Sequence, residues 1–337
     1  MSPTHQQQQQ YYQPQTFQQP ISLSADQILT ISFHFQRPPL GKGGFSTVYE
    51  GEFCGFPVAV KILTVRNQNE RALFEIELAV LCNERLRHRN LLPLIGFCHE
   101  RPALVMPRLK PLNKDRLPRL PGSVRMLVAM DVARGLAHLH QAGFVHNDMK
   151  PDNVLLEFDE NRNIVRALVG DLGCAKVTSI PVQPFGTMLF MDPQLSPHGP
   201  PVLPKTADDV YSFALTVVCI FTNSFPENQD DLARMWATIE ATFPLVANLA
   251  RRMTQPDWRL RPSCAQAEVE LKQIDEGWRV AIELQKAAAA GAAPTIQSPP
   301  RSQSALQQHT QPQQQLQPQH HSSALLEHRD RKTVCIA

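Results

Sequence analysis

The segment Val145-His146-Asn147-Asp148-Met149-Lys150-Pro151-Asp152-Asn153-Val154-Leu155-Leu156 sets a carboxylate, an ammonium and a carboxamide within six positions, between apolar flanks. Such a segment suits a rigid polar loop braced by a core. Eighteen positions after Asn153, Gly170-Asp171-Leu172-Gly173 puts another carboxylate in a turn behind the apolar run Ile164 to Val169. Asn153 and Asp171 are hard oxygen donors of the kind that Mg²⁺ takes when it travels with a nucleotide. Singly, each is equally an Asx residue that shapes a turn. Lys61 stands inside Val58-Ala59-Val60-Lys61-Ile62-Leu63, where an ammonium is costly unless an anion meets it. Glu77 is the candidate partner, since Glu75, two positions away on the same helical segment, points elsewhere. Either could be a surface charge. Gly41-Lys42-Gly43-Gly44-Phe45-Ser46-Thr47-Val48 lets backbone N–H groups come close to phosphate, and is equally an ordinary hairpin turn. A dinucleotide-binding reading needs a helix after the glycines, whereas Tyr49 to Leu63 is strand-like, and no G-K-[ST] follows. A hairpin covering phosphates survives.

Positioning these groups takes two kinds of element. From Pro39 to Leu63 the chain reads as paired strands punctuated at Gly51, Gly55 and Pro57. Glu70 to Arg85 has Leu73, Ile76, Val80 and Leu81 at helical spacing. Strands resume at Leu91 to Phe97 and Ala103 to Met106. Beyond the Pro-rich stretch from Pro107 to Pro121, Ser123 to His140 reads as a long helix with Ser123 as its N-cap. A strand-rich stretch of about 70 residues before a helical one of about 170 argues an α+β fold joined near Pro107 to Pro111. The cleft between two such lobes is a natural small-molecule site.

The chain has 337 residues, yet nine of the first twenty are Gln, and Pro294 to Ala337 is rich in Gln, Pro, Ser and His. Neither end can bury enough apolar surface to pack, and about 270 residues remain for a folded body. Lys plus Arg is 33 and Asp plus Glu is 31, a formal charge of +2, so no nucleic-acid surface is expected. Seven scattered Cys without a C-x-x-C pair argue against a disulfide framework or zinc site. The longest apolar run, Phe213 to Phe221, is broken by Thr216 and falls well short of the roughly 20 residues of a membrane span. No transmembrane segment is therefore expected, and the compartment suggested is the cytoplasm, with the nucleus also open. His138 and His140 lie two apart on their helix, facing different sides, which argues against a metal pair.

In order, the glycine turn, Val58-Ala59-Val60-Lys61, Glu77, His146-Asn147-Asp148 with Lys150 and Asn153, Asp171-Leu172-Gly173, Met191-Asp192-Pro193-Gln194, Asp209 to Ala214 and Arg261-Pro262-Ser263 resemble the eukaryotic protein kinase family over about residues 35 to 283. Leu86 to Cys98 and Val132 to His140 look like its tyrosine kinase-like branch, which includes plant receptor-like and interleukin-receptor-associated kinases. The resemblance implies a bilobal α+β fold: a small antiparallel N-lobe sheet with one helix (35–106), a hinge (107–109) and a larger, mainly helical C-lobe (110–285). Disordered tails over 1–34 and 286–337 would flank it. It implies ATP and Mg²⁺ as cofactors and protein substrates as partners. Lys61, oriented by Glu77, would hold the α/β-phosphates, with Gly41 and Gly43 above them. Leu40, Val48 and Ala59 would line the nucleotide site, Met106 would stand at the back of the adenine pocket, and Leu109 would belong to the hinge. Asn153 and Asp171 would hold the metal. Asp148 would accept the substrate proton and Lys150 would steady the transferring phosphoryl group. Lys150, two after Asp148, resembles the serine/threonine pattern.

Three departures stand out. Ser46 replaces the third glycine. Asn147 replaces the Arg before the catalytic Asp, so a phosphate on the activation segment lacks its guanidinium partner. Activity is then expected not to depend strongly on phosphorylation at Thr178 or Ser179. Gln194 stands where the family has a Glu paired with the Arg matched by Arg261. An unpaired buried charge is costly, so a weakened helical lobe is expected, restored by Gln194→Glu. The departures leave two alternatives to an active serine/threonine kinase in signalling: a pseudokinase acting allosterically, or a scaffold recruiting protein partners through its Gln-rich tails.

Overall fold

The computed structural model describes residues 19–31, 38–44 and 46–289. The first lobe contains Ile21–Ser22 (β1), Ala25–Ile31 (α1), Gly41–Lys42 (β2), Ser46–Phe53 (β3), Phe56–Leu63 (β4), Gln68–Leu81 (α2), Gly96–Cys98 (β5) and Ala103–Pro107 (β6). Its six strands lie in the order β1-β5-β6-β4-β3-β2, antiparallel except for the β1–β5 pair. The β3–β4 hairpin turns on Cys54 (φ 52°) and Gly55 (φ 81°), the two consecutive positive-φ residues that match the twist of the strands. The N-cap of α2 is Asn67, whose side chain accepts the Glu70 N–H.

Residues 19–31 correct the expected N-terminal tail. Ser24 and Gln27 cap α1 reciprocally: Gln27 N–H donates to Ser24 Oγ (3.2 Å), and Ser24 N–H donates to Gln27 Oε1 (2.8 Å). Leu23, Ile28 and Ile31 are then buried with Val58, Val60, Cys98, Ala103 and Val105 on the outer face of the sheet. Gly51 permits this, since a Cβ there would stand 2.4 Å from the Ile31 carbonyl oxygen. The rest of the expected tails, residues 1–18, 32–34 and 290–337, lies outside the described residues, as does Phe45.

The second lobe contains Lys110–Pro111 (β7), Arg125–Gln141 (α3), Phe144–Val145 (β8), Val154–Phe158 (β9), Ile164–Val169 (β10), Lys176–Val177 (β11), Thr206–Thr222 (α4), Gln229–Thr242 (α5), Pro244–Met253 (α6) and Cys264–Ala289 (α7). Helix α4 is its axis, buried almost throughout and packed among α3, α5 and α6. Two sequence expectations shift. Ser123 falls in a 3₁₀ turn, and α3 starts at Arg125 with no side-chain cap. The expected strand from Leu91 shrinks to β5 because its first residues lean on the second lobe: Leu92 N–H donates to Val169 O (2.9 Å) and Val169 N–H to Asn90 O (2.8 Å). The six described cysteines are unpaired, and no described helix is long and apolar enough to cross a membrane.

Candidate active site

Alternation along β4 sends Val58 and Val60 into the outer core and Ala59 and Lys61 to the opposite face. Lys61 is in register with Val48 on one side and Leu104 on the other. On α2, Glu77 shares the buried face with Phe74 and Leu78. Lys61 Nζ lies 2.6 Å from Glu77 Oε1 and 3.1 Å from Asp171 Oδ1, so one ammonium joins three segments distant in sequence. Burial alone would lower the Lys61 pKa, but Asp171 and Glu77 beside it hold it above its ordinary value. Glu75 is elsewhere, on Arg71 (2.9 Å) and His99 (3.2 Å).

The loop from His146 to Asn153 is fixed from below by Asp209 of α4. Asp209 Oδ2 accepts the His146 N–H (2.7 Å) and faces His140 Nε2 (2.8 Å), and Oδ1 accepts the Asn147 N–H (2.9 Å). Burial disfavours the charged His140 imidazole, but Cys264 and Asp209 beside it outweigh that and lift its pKa to about 10. Asn147 adopts a left-handed backbone (φ 65°), which an Asn tolerates. Its Nδ2 donates to Cys174 O (3.1 Å) and Val145 O (3.3 Å). An amide therefore ties the loop to the start of the activation segment.

Asp148 is 9% exposed at the floor of this loop. Its Oδ1 accepts the N–H and the hydroxyl of Thr187, each at 2.8 Å. Its Oδ2 accepts Lys150 Nζ at 2.7 Å and Asn153 Nδ2 at a long 3.3 Å. Lys150 Nζ also donates to Thr187 Oγ1 (2.7 Å). Thr187 is a site residue that the sequence reading missed, since a lone Gly-Thr in an irregular segment carries no periodic signal.

Asp171, in a left-handed conformation at the mouth of its turn, has a side chain 48% exposed. Burial pushes its carboxyl up, but Lys61 holds it below the usual carboxylate range, so it offers an anionic oxygen to solvent. Asn153 Nδ2 is committed to Asp148 O (2.6 Å), which leaves Oδ1 as the end that can ligate. Among the described residues no group of three His, Cys, Asp or Glu side chains could hold a metal. The donor set thus fits an ion whose remaining ligands are phosphates and water, as nucleotide-bound Mg²⁺ has.

Beside these groups, Met106 on β6 pairs with Ala59 on β4 and is buried with Phe74, Leu78 and Leu104, with Leu109 and Leu155 against them. Leu40 is exposed and its N–H donates to Val48 O (2.8 Å), while Gly41 pairs with Val48 and Gly43 N–H donates to Ser46 O (2.8 Å). Leu155 was also missed. Its signal was available in the alternation of β9, which buries Val154 and Leu156 and turns Leu155 to the other face.

The expected loss at Gln194 is corrected. Arg261 is buried and paired with Asp192, and donates to Ala207 O (2.9 Å) and Gln255 O (2.8 Å). Asp192, two residues before Gln194, supplies the carboxylate. Gln194 bonds to the Pro256 carbonyl.

Residues 35–281 match the protein kinase domain family. The chain is 27% identical over 311 residues to the receptor protein kinase WSS1 of Oryza sativa subsp. japonica, covering 77% of this chain and 33% of that protein. It is 26% identical over 255 residues to the serine/threonine-protein kinase STY46 of Arabidopsis thaliana, covering 70% and 43%. With the receptor-like serine/threonine-protein kinase ALE2 of the same plant, identity is 33% over 223 residues, covering 62% and 29%. The chain spans about a third of the length of the first curated relatives it matches. With the bilobal α+β architecture and the motif order above, these matches lead to one conclusion: the chain belongs to the eukaryotic protein kinase family.

Proposed function

We propose that the chain transfers the γ-phosphoryl group of Mg-ATP to serine or threonine hydroxyls of proteins. The observation that carries this reading is the double anchoring of Lys61 on Glu77 and Asp171 beside an Asp148 held by Thr187 and Lys150. Lys61 would bind the α/β-phosphates, oriented by Glu77, and Met106, Ala59, Leu109 and Leu155 would enclose the adenine beneath the Gly41–Gly43 turn. Asp171 and Asn153 would hold Mg²⁺, which when bound neutralises phosphate charge. Asp148 Oδ2, whose second contact is the long one, would take the proton of the incoming hydroxyl as its oxygen bonds to the γ-phosphorus and the bond to the β-phosphate oxygen breaks. Lys150 would steady the transferring charge, and Thr187 would fix the carboxylate that receives the proton. The serine/threonine preference rests on Lys150 and on the names of two relatives. Unpaired cysteines and a nucleotide substrate favour the cytoplasm as its place of action.

Purified full-length chain with labelled ATP and Mg²⁺ should phosphorylate itself or a generic Ser/Thr protein. Asp148→Asn should lower the rate by roughly 10²–10⁴-fold, and Lys61→Met should abolish incorporation. A nucleotide-dependent rise in melting temperature with no transfer by the wild type would favour the pseudokinase instead. Deleting residues 1–18 and 290–337 while following both transfer and cellular association tests partner recruitment by the ends.

A further inference from the structure

Between Val177 and Pro204 the chain carries only two ionisable side chains, Asp192 and His198. Asp192 is buried on Arg261. Seven prolines occupy the same stretch, which reduces the freedom that must be lost to fix it. Val182 and Val202 exchange both backbone hydrogen bonds at 2.9 Å, and Gln183 Nε2 donates to Pro197 O (2.5 Å) and Gly199 O (2.9 Å). Gly186 (φ 147°) touches the catalytic loop, since a Cβ there would stand 2.5 Å from Asn147 O. The next residue, Thr187, binds Asp148.

On either side of this pair Phe185 is 65% and Met188 69% exposed, and Ile180 and Leu203 in the same segment are exposed as well. Large apolar side chains thus stand in water within two residues of Thr187. Two nearby cations are engaged elsewhere: Lys150 is bonded to Asp148 and Thr187, and Lys205 lies over the Trp258 ring, 5.7 Å from its centroid.

We infer that this segment is a neutral, apolar seat for the substrate chain, selecting acceptor hydroxyls flanked by large uncharged apolar residues and rejecting charged flanks. The inference rests on the proposed phosphoryl transfer and names the class of sequence it takes. A hydroxyl delivered to Asp148 brings its neighbours, little more than 3 Å per residue away, over Phe185 and Met188. An apolar neighbour gains by covering them. An acidic or basic one loses water, and between Val177 and Pro204 no carboxylate, ammonium or guanidinium is open to meet it, so the seat discriminates by exclusion as well as by contact.

A positional peptide library around a central Ser or Thr tests this on the full-length chain. Leu, Met or Phe beside the acceptor should exceed Asp, Glu, Lys or Arg by about tenfold or more in kcat/KM. Phe185→Ala should flatten that preference, and Met188→Arg should raise acceptance of Asp and Glu. A flat profile, or a preference for charged flanks, overturns the inference. Fluorescence anisotropy with labelled peptides carrying Ala at the acceptor position needs no turnover. Tighter binding of a Leu-flanked than an Asp-flanked peptide, reversed by Met188→Arg, supports the seat, and equal affinities sink it. Discriminating binding without transfer to any peptide would leave the seat standing and remove the kinase activity.

Discussion

Asp209 and Asp171 are both carboxylates facing a cation, and they are held in different ways. Asp209 is wholly buried and accepts two backbone N–H groups as well as facing His140. Asp171 has one cationic partner, Lys61, and a side chain half open to solvent. In the first case three contacts from groups that cannot leave hold both oxygens away from water, which makes the cluster a fixed support for the loop from His146 to Asn153. In the second, phosphate and metal can replace water and share the cation. Burial confines Asp209 to bracing its loop, and exposure leaves Asp171 able to meet a ligand.

The sharpest way to break this contrast is to remove one partner from each cluster. Asp209→Ala strands two N–H groups and a buried His140, and should cost about 3–5 kcal/mol, read by urea unfolding. Asp171→Ala leaves Lys61 paired with Glu77 and should cost clearly less, while abolishing transfer. Equal losses would show that the two clusters are held alike.

A milder test is pH. The His140 pKa is raised from 6.5 to about 10, so the stabilisation it contributes is complete below about pH 6.5 and is lost as pH rises through about 10. Melting temperature should fall across that window, and His140→Gln should flatten the fall.

The smallest effects are expected where sequence comparison alone suggested large ones. Gln194→Glu should change stability by no more than about 0.5 kcal/mol, because Asp192 already serves Arg261. Thr178→Ala with Ser179→Ala should retain most activity, since the Asn147 amide ties the segment without a phosphate.

These cases show what the sequence could tell. Glu77 was legible because helical spacing separates it from Glu75, and Lys61 because an ammonium in a β-branched run demands an anion. Asp192 was not, since its pairing depends on where an irregular segment crosses α4 rather than on any period. Thr187 was hidden for the same reason. Residues 19–31 were obscured by their Gln-rich surroundings, although Ser24 and Gln27 at capping distance and Leu23, Ile28 and Ile31 at burial spacing were there to be read.

That N-terminal strand and helix bear on how the chain can be shortened. The family match begins at residue 35, past the point where Leu23, Ile28 and Ile31 seal the sheet over Val58, Val60 and Val105. A truncation drawn at the motif boundary would bare the back of the nucleotide lobe and leave a sticky apolar surface in water. The smallest self-sufficient fragment therefore starts no later than Ile21, upstream of any residue that the chemistry would single out.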